Sequence, residues 1–134
     1  MKVSELNLPK PAIEFLRKIG YGDLYPTQED SVKAGILEGK SVLVSAPTAS
    51  GKTLIAMLAM INHLFKKKGK IVYLNPLRAL STEKFSEFQK LESIDFGRKI
   101  RTQISIGELD NADKSLEKND IIVLTNEKMD SLIR

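Results

Sequence analysis

The sequence predicts an α/β fold built around a parallel β-sheet. Three short blocks of branched apolar residues lack period-two alternation, which is typical of strands buried on both faces: residues 42–44, 71–74 and 121–124. Helical patterns lie between these blocks, and the first two strands begin near positions 41 and 71, a separation typical of a strand-helix-strand unit. Right-handed crossovers then predict a doubly wound sheet.

Length, composition and charge restrict the class of protein. The 134 residues suit one domain, and 42% of them are hydrophobic, enough to bury a core. The net charge is +4, but acidic residues are interspersed with the basic ones along nearly the whole chain. Charge alone therefore identifies no partner. The absence of cysteine excludes disulfides and thiolate zinc sites, and the single histidine cannot build a metal site alone. The longest apolar run, 54–61, is far shorter than the roughly 20 residues of a membrane span. We expect a cytoplasmic protein with no membrane partner, and the oligomeric state is left open.

The helices before the second strand follow from local patterns. Two helices are predicted at roughly 9–19 and 27–37, joined by the turn-rich segment 20–23. A third, from Gly51 to about Phe65, is nearly apolar all round, which predicts a buried helix pressed against the sheet.

The second half of the chain supplies one further helix and one edge strand. The helix follows Pro76, with an apolar stripe formed by Leu77, Leu80, Phe88 and Leu91. Apolar and polar residues alternate from 100 to 106, which indicates a strand with one wetter face at an edge of the sheet.

A phosphate-binding loop follows the first strand directly and runs into the apolar helix. Its residues are Ala46, Pro47, Thr48, Ala49, Ser50, Gly51, Lys52 and Thr53. Backbone N–H groups and the positive helix end can enclose a phosphate, Lys52 supplies charge, and the Thr53 hydroxyl is a predicted magnesium ligand. Gly51 lets the backbone approach the phosphate closely. Ala46 replaces the usual glycine, but it is small enough for the turn to survive. This is the context of a P-loop NTPase.

Gln28 is the candidate adenine-reading residue. It lies in the first turn of the second helix, shortly before the phosphate loop. Its amide carries both a donor and an acceptor, so it can pair with the amino group and ring nitrogen of adenine, a pairing that guanine would frustrate. The alternative interpretation is a solvated glutamine on a helix surface.

Two later helix starts are candidates for binding an anion. Arg78 lies in the first turn after Pro76, where a cation opposes the helix dipole unless an anion such as a phosphodiester arrives. Arg78 could instead pack its stem on the surface. Thr125 ends the last strand and can cap the next helix. Both helix starts follow parallel strands and therefore lie at the carboxyl edge of the sheet, where such folds bind ligands.

The order of these elements resembles the first RecA-like lobe of superfamily 2 helicases. The phrases at 47–53, 76–80 and 127–134 are similar to those of archaeal DNA-repair helicases of the Ski-like branch, relatives of the helicase part of DNA polymerase theta. The resemblance covers essentially the whole chain. Asn75, where a more apolar residue is usual, and Glu108, where aspartate is common, depart from the pattern.

The resemblance implies an ATP-dependent DNA helicase that uses ATP and Mg²⁺. It implies movement along single-stranded or forked DNA in the 3′ to 5′ direction and a role in the repair of stalled forks. Gln28 would hold adenine, residues 46–53 would hold triphosphate and magnesium, and Lys52 and Thr53 would serve catalysis. The nucleic-acid contacts would come from Pro76, Arg78, Thr125 and Lys128.

The resemblance also implies how the chain is organised. Residues 1–134 would be the N-terminal part of the ATP-binding domain, with 1–40 as a helical leader that contains Gln28. The family's Asp-Glu-x-His box and second lobe would lie beyond Arg134, since no Asp-Glu pair occurs in this chain. We therefore expect the chain alone not to turn over ATP.

Three alternative functions stay open at the level of sequence. A small-molecule kinase or other P-loop transferase would share the phosphate loop, but it has no reason to carry Gln28 or the later phrases. An RNA helicase of the same branch would carry all of them, because contacts with phosphates carry little base information. A nucleotide-binding module without turnover is the third.

Overall fold

The structure divides the chain into two units, Met1–Lys68 and Gly69–Arg134. It is a computed structural model, and it describes residues 1–45, 51–66, 69–75, 78–105 and 120–125, without the side chains of Arg78 and Ser105. No helix in these described ranges is long and apolar enough to cross a membrane.

The described part of the first unit is helical. Its helices are α1 (Lys10–Lys18), α2 (Pro26–Lys33) and α3 (Lys52–Phe65), with 3₁₀ turns at Val3–Glu5 and Ile36–Glu38. The three helices predicted from the sequence are confirmed, and the first two are shorter than expected. Helix α3 packs against α2 and the 3₁₀ turn at Ile36–Glu38. Its buried apolar residues recur on more than one side, as the apolar sequence predicts: Leu54, Ile55, Met57, Leu58, Met60, Ile61 and Leu64.

The amino-terminal segment holds the start of α2 in place. The Val3 N–H donates to the Gly22 carbonyl at 2.8 Å, and the Leu24 N–H donates to the Met1 carbonyl at 2.9 Å. The Met1 ammonium lies 3.0 Å from Glu29 Oε2 on α2. This hydrogen bond, with a further one from Lys33, lowers the pKa of the Glu29 carboxyl. The segment that leads into α2 is therefore paired along its length.

The second unit contains the parallel sheet. Within its described residues the strands are β1 (Ile71–Asn75), β2 (Thr102–Ser105) and β3 (Ile121–Thr125), in the spatial order β1-β3-β2. Both outer strands run parallel to β3, which is buried at every position. The predicted parallel sheet is confirmed, and among the described strands β2, from the segment 100–106, is an outer strand as predicted.

Helix α4 (Arg78–Gln89) covers one face of this sheet and continues into a 3₁₀ turn at Lys90–Ser93. The Phe88 ring meets the Tyr73 ring edge-on, with centroids 4.8 Å apart. The predicted apolar stripe is wrong at Leu80, which is exposed, while Ser81 is fully buried. Ser81 and Phe88 are separated by about two helical turns and so share a face, whereas Leu80 is rotated away by one residue.

One aspartate joins the amino ends of the three strands. Asp120 accepts hydrogen bonds from Arg98 Nη1 at 2.7 Å and from the Arg101 N–H at 3.1 Å. Its backbone carbonyl accepts from the Ile71 N–H at 2.8 Å. Asp120 therefore fixes where β1 and β3 begin and holds the segment that enters β2.

The prediction of a buried strand at residues 42–44 is wrong. The structure assigns no strand there, and the Leu43 side chain is 96% exposed. A strand needs a neighbour to pair its N–H and C=O groups, and none of the described strands pairs with these residues.

The prediction that β1 is buried on both faces is also wrong, because Val72 and Leu74 are exposed. In the described sheet β1 is an outer strand with α4 packed on one side, and alternate side chains point away from that helix.

Candidate nucleotide site

Gln28 occupies a buried position in the first turn of α2. The helix begins at Pro26 after Tyr25, which has the extended backbone of an N-cap residue (φ −70°, ψ 158°). Gln28 is only 2% exposed, so the alternative interpretation as a solvated glutamine is wrong. A buried amide must find hydrogen-bond partners within the protein.

The Gln28 amide connects α2 to the start of α3. Its Oε1 accepts from the Tyr25 N–H at 2.7 Å, and its Nε2 donates to the Gly51 carbonyl at 3.0 Å. These partners fix the orientation of the amide, because an N–H pairs only with the oxygen and a carbonyl only with the nitrogen. A primary amide has two N–H groups and two lone pairs on its oxygen. The two bonds between described residues use one donor and one acceptor of the Gln28 amide.

This connection is partly readable from sequence. A glutamine three residues after an N-cap position follows the spacing of a capping box, which predicts the bond to the Tyr25 N–H. The bond to Gly51 joins residues 23 positions apart. No local pattern indicates it, and sequence reasoning missed this second role of Gln28.

Position 51 requires glycine for two reasons, its backbone conformation and its contact with Gln28. Its φ of +85° lies in the left-handed region, which side chains disfavour. A Cβ built at Gly51 would also overlap the Gln28 Nε2 atom. The Gly51 carbonyl accepts from the Leu54 N–H at 3.2 Å as well as from Gln28. The sequence argument assigned this glycine to the approach of a phosphate, and the structure adds a contact with Gln28.

Lys52 and Thr53 are the first two residues of α3. Lys52 is exposed and Thr53 is partly exposed, and the first turn contains no acidic side chain. A lysine at a helix start opposes the helix dipole unless an anion binds there. The remaining predicted loop residues lie outside the described residues: Ala46, Pro47, Thr48, Ala49 and Ser50.

Within the described ranges, no group of three or more His, Cys, Asp or Glu side chains could hold a metal ion. The Thr53 hydroxyl is an oxygen ligand of the type that magnesium accepts, and magnesium is commonly held by few protein ligands together with substrate phosphates. Its place in the first turn of α3 fits a magnesium ion that arrives with a nucleotide.

The predicted nucleic-acid residues belong to the second unit, at the carboxyl ends of β1 and β3. Asn75 and Thr125 are register partners at the last positions of these strands, and both are buried. The chain therefore leaves the two strands side by side, as the sequence predicts for ligand-binding segments of parallel sheets. Arg78 begins α4. Pro76, Lys128 and the Arg78 side chain lie outside the described residues.

The buried polar residues at this edge were not predicted as a group. Asn75, Thr125 and Ser81 of α4 are all buried, and each has a polar or ring contact. Buried polar side chains make the local structure rigid when their hydrogen bonds are satisfied. The sequence signal was Asn75 itself, a polar residue at the end of an otherwise apolar strand.

The chain is similar to known helicases. Over 134 residues, this chain is 46% identical to the ATP-dependent DNA helicase Hel308 of Pyrococcus abyssi. It is 42% identical to the Hel308 of Thermococcus kodakarensis over the same length. The whole chain is aligned in both cases, but it spans only 18% and 12% of these relatives.

A solved structure shares the fold. The crystal structure of the RNA helicase Prp28 from Chaetomium thermophilum bound to ADP superposes with a TM-score of 0.70 at 22% identity, over 93% of this chain and 32% of that one. The predicted RecA-like helicase fold is thereby confirmed. The profile of DEAD/DEAH box helicases matches residues 25–134, from the residue before α2 to the end of the sequence. The chain belongs to the DEAD/DEAH box helicase family.

Proposed function

We propose that the protein containing this chain is an ATP-dependent DNA helicase, and that residues 1–134 form the first part of its ATP-binding domain. Residues 1–40 are the helical leader. The observation that carries the proposal is the Gln28 amide, which joins the leader to Gly51 at the start of α3. A kinase or transferase needs no such bridge between a base-reading amide and its phosphate loop.

The first unit binds the nucleotide in this proposal. Gln28 presents its remaining donor and acceptor to the adenine edge, while Gly51 and residues 46–50 place backbone N–H groups around the phosphates. Lys52 contributes charge to the β and γ phosphates, and Thr53 holds magnesium. When bound, magnesium neutralises charge on those phosphates.

The second unit binds single-stranded or forked DNA at the carboxyl ends of β1 and β3. Arg78 begins α4, and the positive end of the helix dipole suits a backbone phosphate. Pro76 and Lys128 complete the contact. Because Thr125 is buried, its contribution comes from the backbone and from capping the chain that follows. The similarity to ATP-dependent DNA helicases supports DNA as the substrate. Movement in the 3′ to 5′ direction and repair of stalled forks are part of the same proposal.

Turnover requires more than these residues. An acidic box that positions magnesium and water, and a second lobe, belong to the remainder of the protein in this proposal. Residues 1–134 alone therefore release no phosphate above background.

The nucleic-acid assignment is tested by Arg78→Ala and Lys128→Ala in the full-length protein. Each should weaken single-strand binding to a similar degree across sequences and flatten its salt dependence by about one unit of log–log slope, because one phosphate contact is lost. Fluorescence anisotropy over a salt series measures both quantities, and calorimetry should find ATP binding unchanged. A loss confined to some sequences would show that these residues read bases and would contradict the assignment.

The adenine assignment is tested by Gln28→Ala. We expect weaker ATP binding and a smaller advantage of ATP over GTP, because the amide that distinguishes the two bases is removed. Loss of the hydrogen bond to the Gly51 carbonyl should also weaken the binding of both nucleotides by the same factor. Calorimetric titration with ATP and with GTP separates the two contributions. Equal losses for both nucleotides would leave Gln28 with its structural role alone.

A further inference from the structure

Three polar residues are buried at the carboxyl edge of the sheet, close to the start of α4. Asn75 is 6% exposed, Thr125 is 5% exposed and Ser81 is fully buried. Each of them takes part in an interaction with another group of the protein. A polar group loses its water on burial, so a fold keeps such groups together only where the protein supplies partners of defined geometry.

Asn75 and Thr125 lie on the side of the sheet that α4 covers. The Phe88 ring of α4 meets the Tyr73 ring at 4.8 Å, so Tyr73 marks the covered face of β1. Side chains alternate between the two faces along a strand, which places Asn75 on the same face as Tyr73. Thr125 is the register partner of Asn75, and paired residues of neighbouring strands share a face.

Ser81 approaches the same edge from the helix. The strand β1 ends at Asn75 and α4 begins at Arg78, so the helix starts at the carboxyl edge and runs back over the sheet. Ser81 precedes Phe88 by about 10 Å along the helix and shares its face, which places Ser81 nearer the carboxyl edge. Asn75, Ser81 and Thr125 thus form one buried polar group, the edge cluster.

The edge cluster lies behind the first turn of α4. Arg78 precedes Ser81 by less than one helical turn, so an interaction that holds Ser81 also holds the Arg78 backbone. Hydrogen bonds are directional and fix one arrangement, whereas purely apolar contacts would let this turn shift. We propose that the edge cluster positions Arg78 for its contact with a backbone phosphate of single-stranded DNA. The inference rests on the proposed nucleic-acid site and adds positioning residues to it.

The test compares Ser81→Ala and Asn75→Leu in the full-length protein, each alone and combined with Arg78→Ala. The first change removes only a hydroxyl, and the second replaces an amide by an apolar group of similar shape. Each alone should weaken single-strand binding about three- to ten-fold, less than the loss of a whole charged contact. In the Arg78→Ala background neither should weaken binding further, because the contact that they position is already lost.

Fluorescence anisotropy over a salt series measures these affinities. Ser81→Ala should also flatten the salt dependence by up to about one unit of log–log slope, as Arg78→Ala does. The matched control is Ser86→Ala, because Ser86 lies on the same helix and is exposed, and it should bind single-stranded DNA like the unaltered protein. Calorimetry should find ATP binding unchanged in every variant, because the edge cluster belongs to the second unit.

The outcomes separate this inference from the proposed site. Equal losses with and without Arg78 would overturn it, because the edge cluster would then act only through the stability of the sheet. Unchanged single-strand binding in both Ser81→Ala and Asn75→Leu would also overturn it and would leave the proposed nucleic-acid site standing. If Arg78→Ala alone changed nothing, the nucleic-acid site itself would be wrong.

Discussion

Replacing Lys52 by alanine in the full-length protein is expected to weaken ATP binding about 10- to 100-fold. Hydrogen bonds to charged groups contribute roughly 1.5–3 kcal/mol, and each 1.4 kcal/mol corresponds to about a factor of ten in affinity. Lys52 is exposed at the first position of α3, so its removal should leave the fold intact. Titration calorimetry with ATP and a thermal unfolding scan measure the two effects separately.

The matched control for Lys52 is Lys66→Ala. Lys66 follows the last residue of the same helix and is exposed, so its replacement removes the same charge from the opposite end of α3. We expect no change in ATP affinity from it. If both variants lost affinity equally, the effect would come from the overall charge. If Lys52→Ala lost none, the phosphate-loop assignment would be refuted.

Replacing Gly51 by alanine is expected to destabilise the first unit and to abolish nucleotide binding with it. A side chain in the left-handed region costs about 1–2 kcal/mol, and forcing an extra group into a packed site costs about 1–3 kcal/mol more. The second cost arises because the new Cβ overlaps the Gln28 amide nitrogen. Denaturant unfolding gives the loss of stability, and calorimetry gives the loss of ATP affinity.

Gly39 supplies the control for Gly51. It has nearly the same backbone angle, φ +79° against +85°, but no heavy atom lies within 4 Å of the position its Cβ would take. Gly39→Ala should therefore show only the backbone cost. The difference between the two variants measures the overlap with Gln28.

A double variant tests that overlap directly. Adding Gln28→Ala to Gly51→Ala removes the overlapping amide, so the two losses of stability should not be additive. Strict additivity would mean that the Gln28–Gly51 contact contributes nothing at this site.

Part of this molecule is determined by its sequence alone. The uninterrupted apolar block of β3 predicted a strand buried on both faces, and every residue of Ile121–Thr125 is buried. The apolar run of α3 likewise predicted a buried helix, whose bounds at Lys52 and Phe65 differ from the expectation by at most one residue. Both predictions succeed because burial on all sides requires apolar residues at every position, whichever neighbours provide the cover.

Predictions that depended on a particular neighbour failed. Residues 42–44 are as apolar as β3, yet Leu43 is exposed, and β1 exposes Val72 and Leu74. An apolar composition indicates that a segment can be buried in a sheet. It does not state which strand pairs with it or what covers its second face, and both depend on contacts between residues distant in sequence.

The candidate site divides in the same way. Gly-Lys-Thr after an apolar block and the glutamine in the first turn of α2 were sufficient to select Gln28, Gly51, Lys52 and Thr53. Only the tertiary structure placed the Gln28 amide on the Gly51 carbonyl and the Tyr25 ring beside them. Residue chemistry and helix starts are local properties that spacing reveals. The contact between Gln28 and Gly51, which are 23 residues apart, is decided by how α2 and α3 pack together.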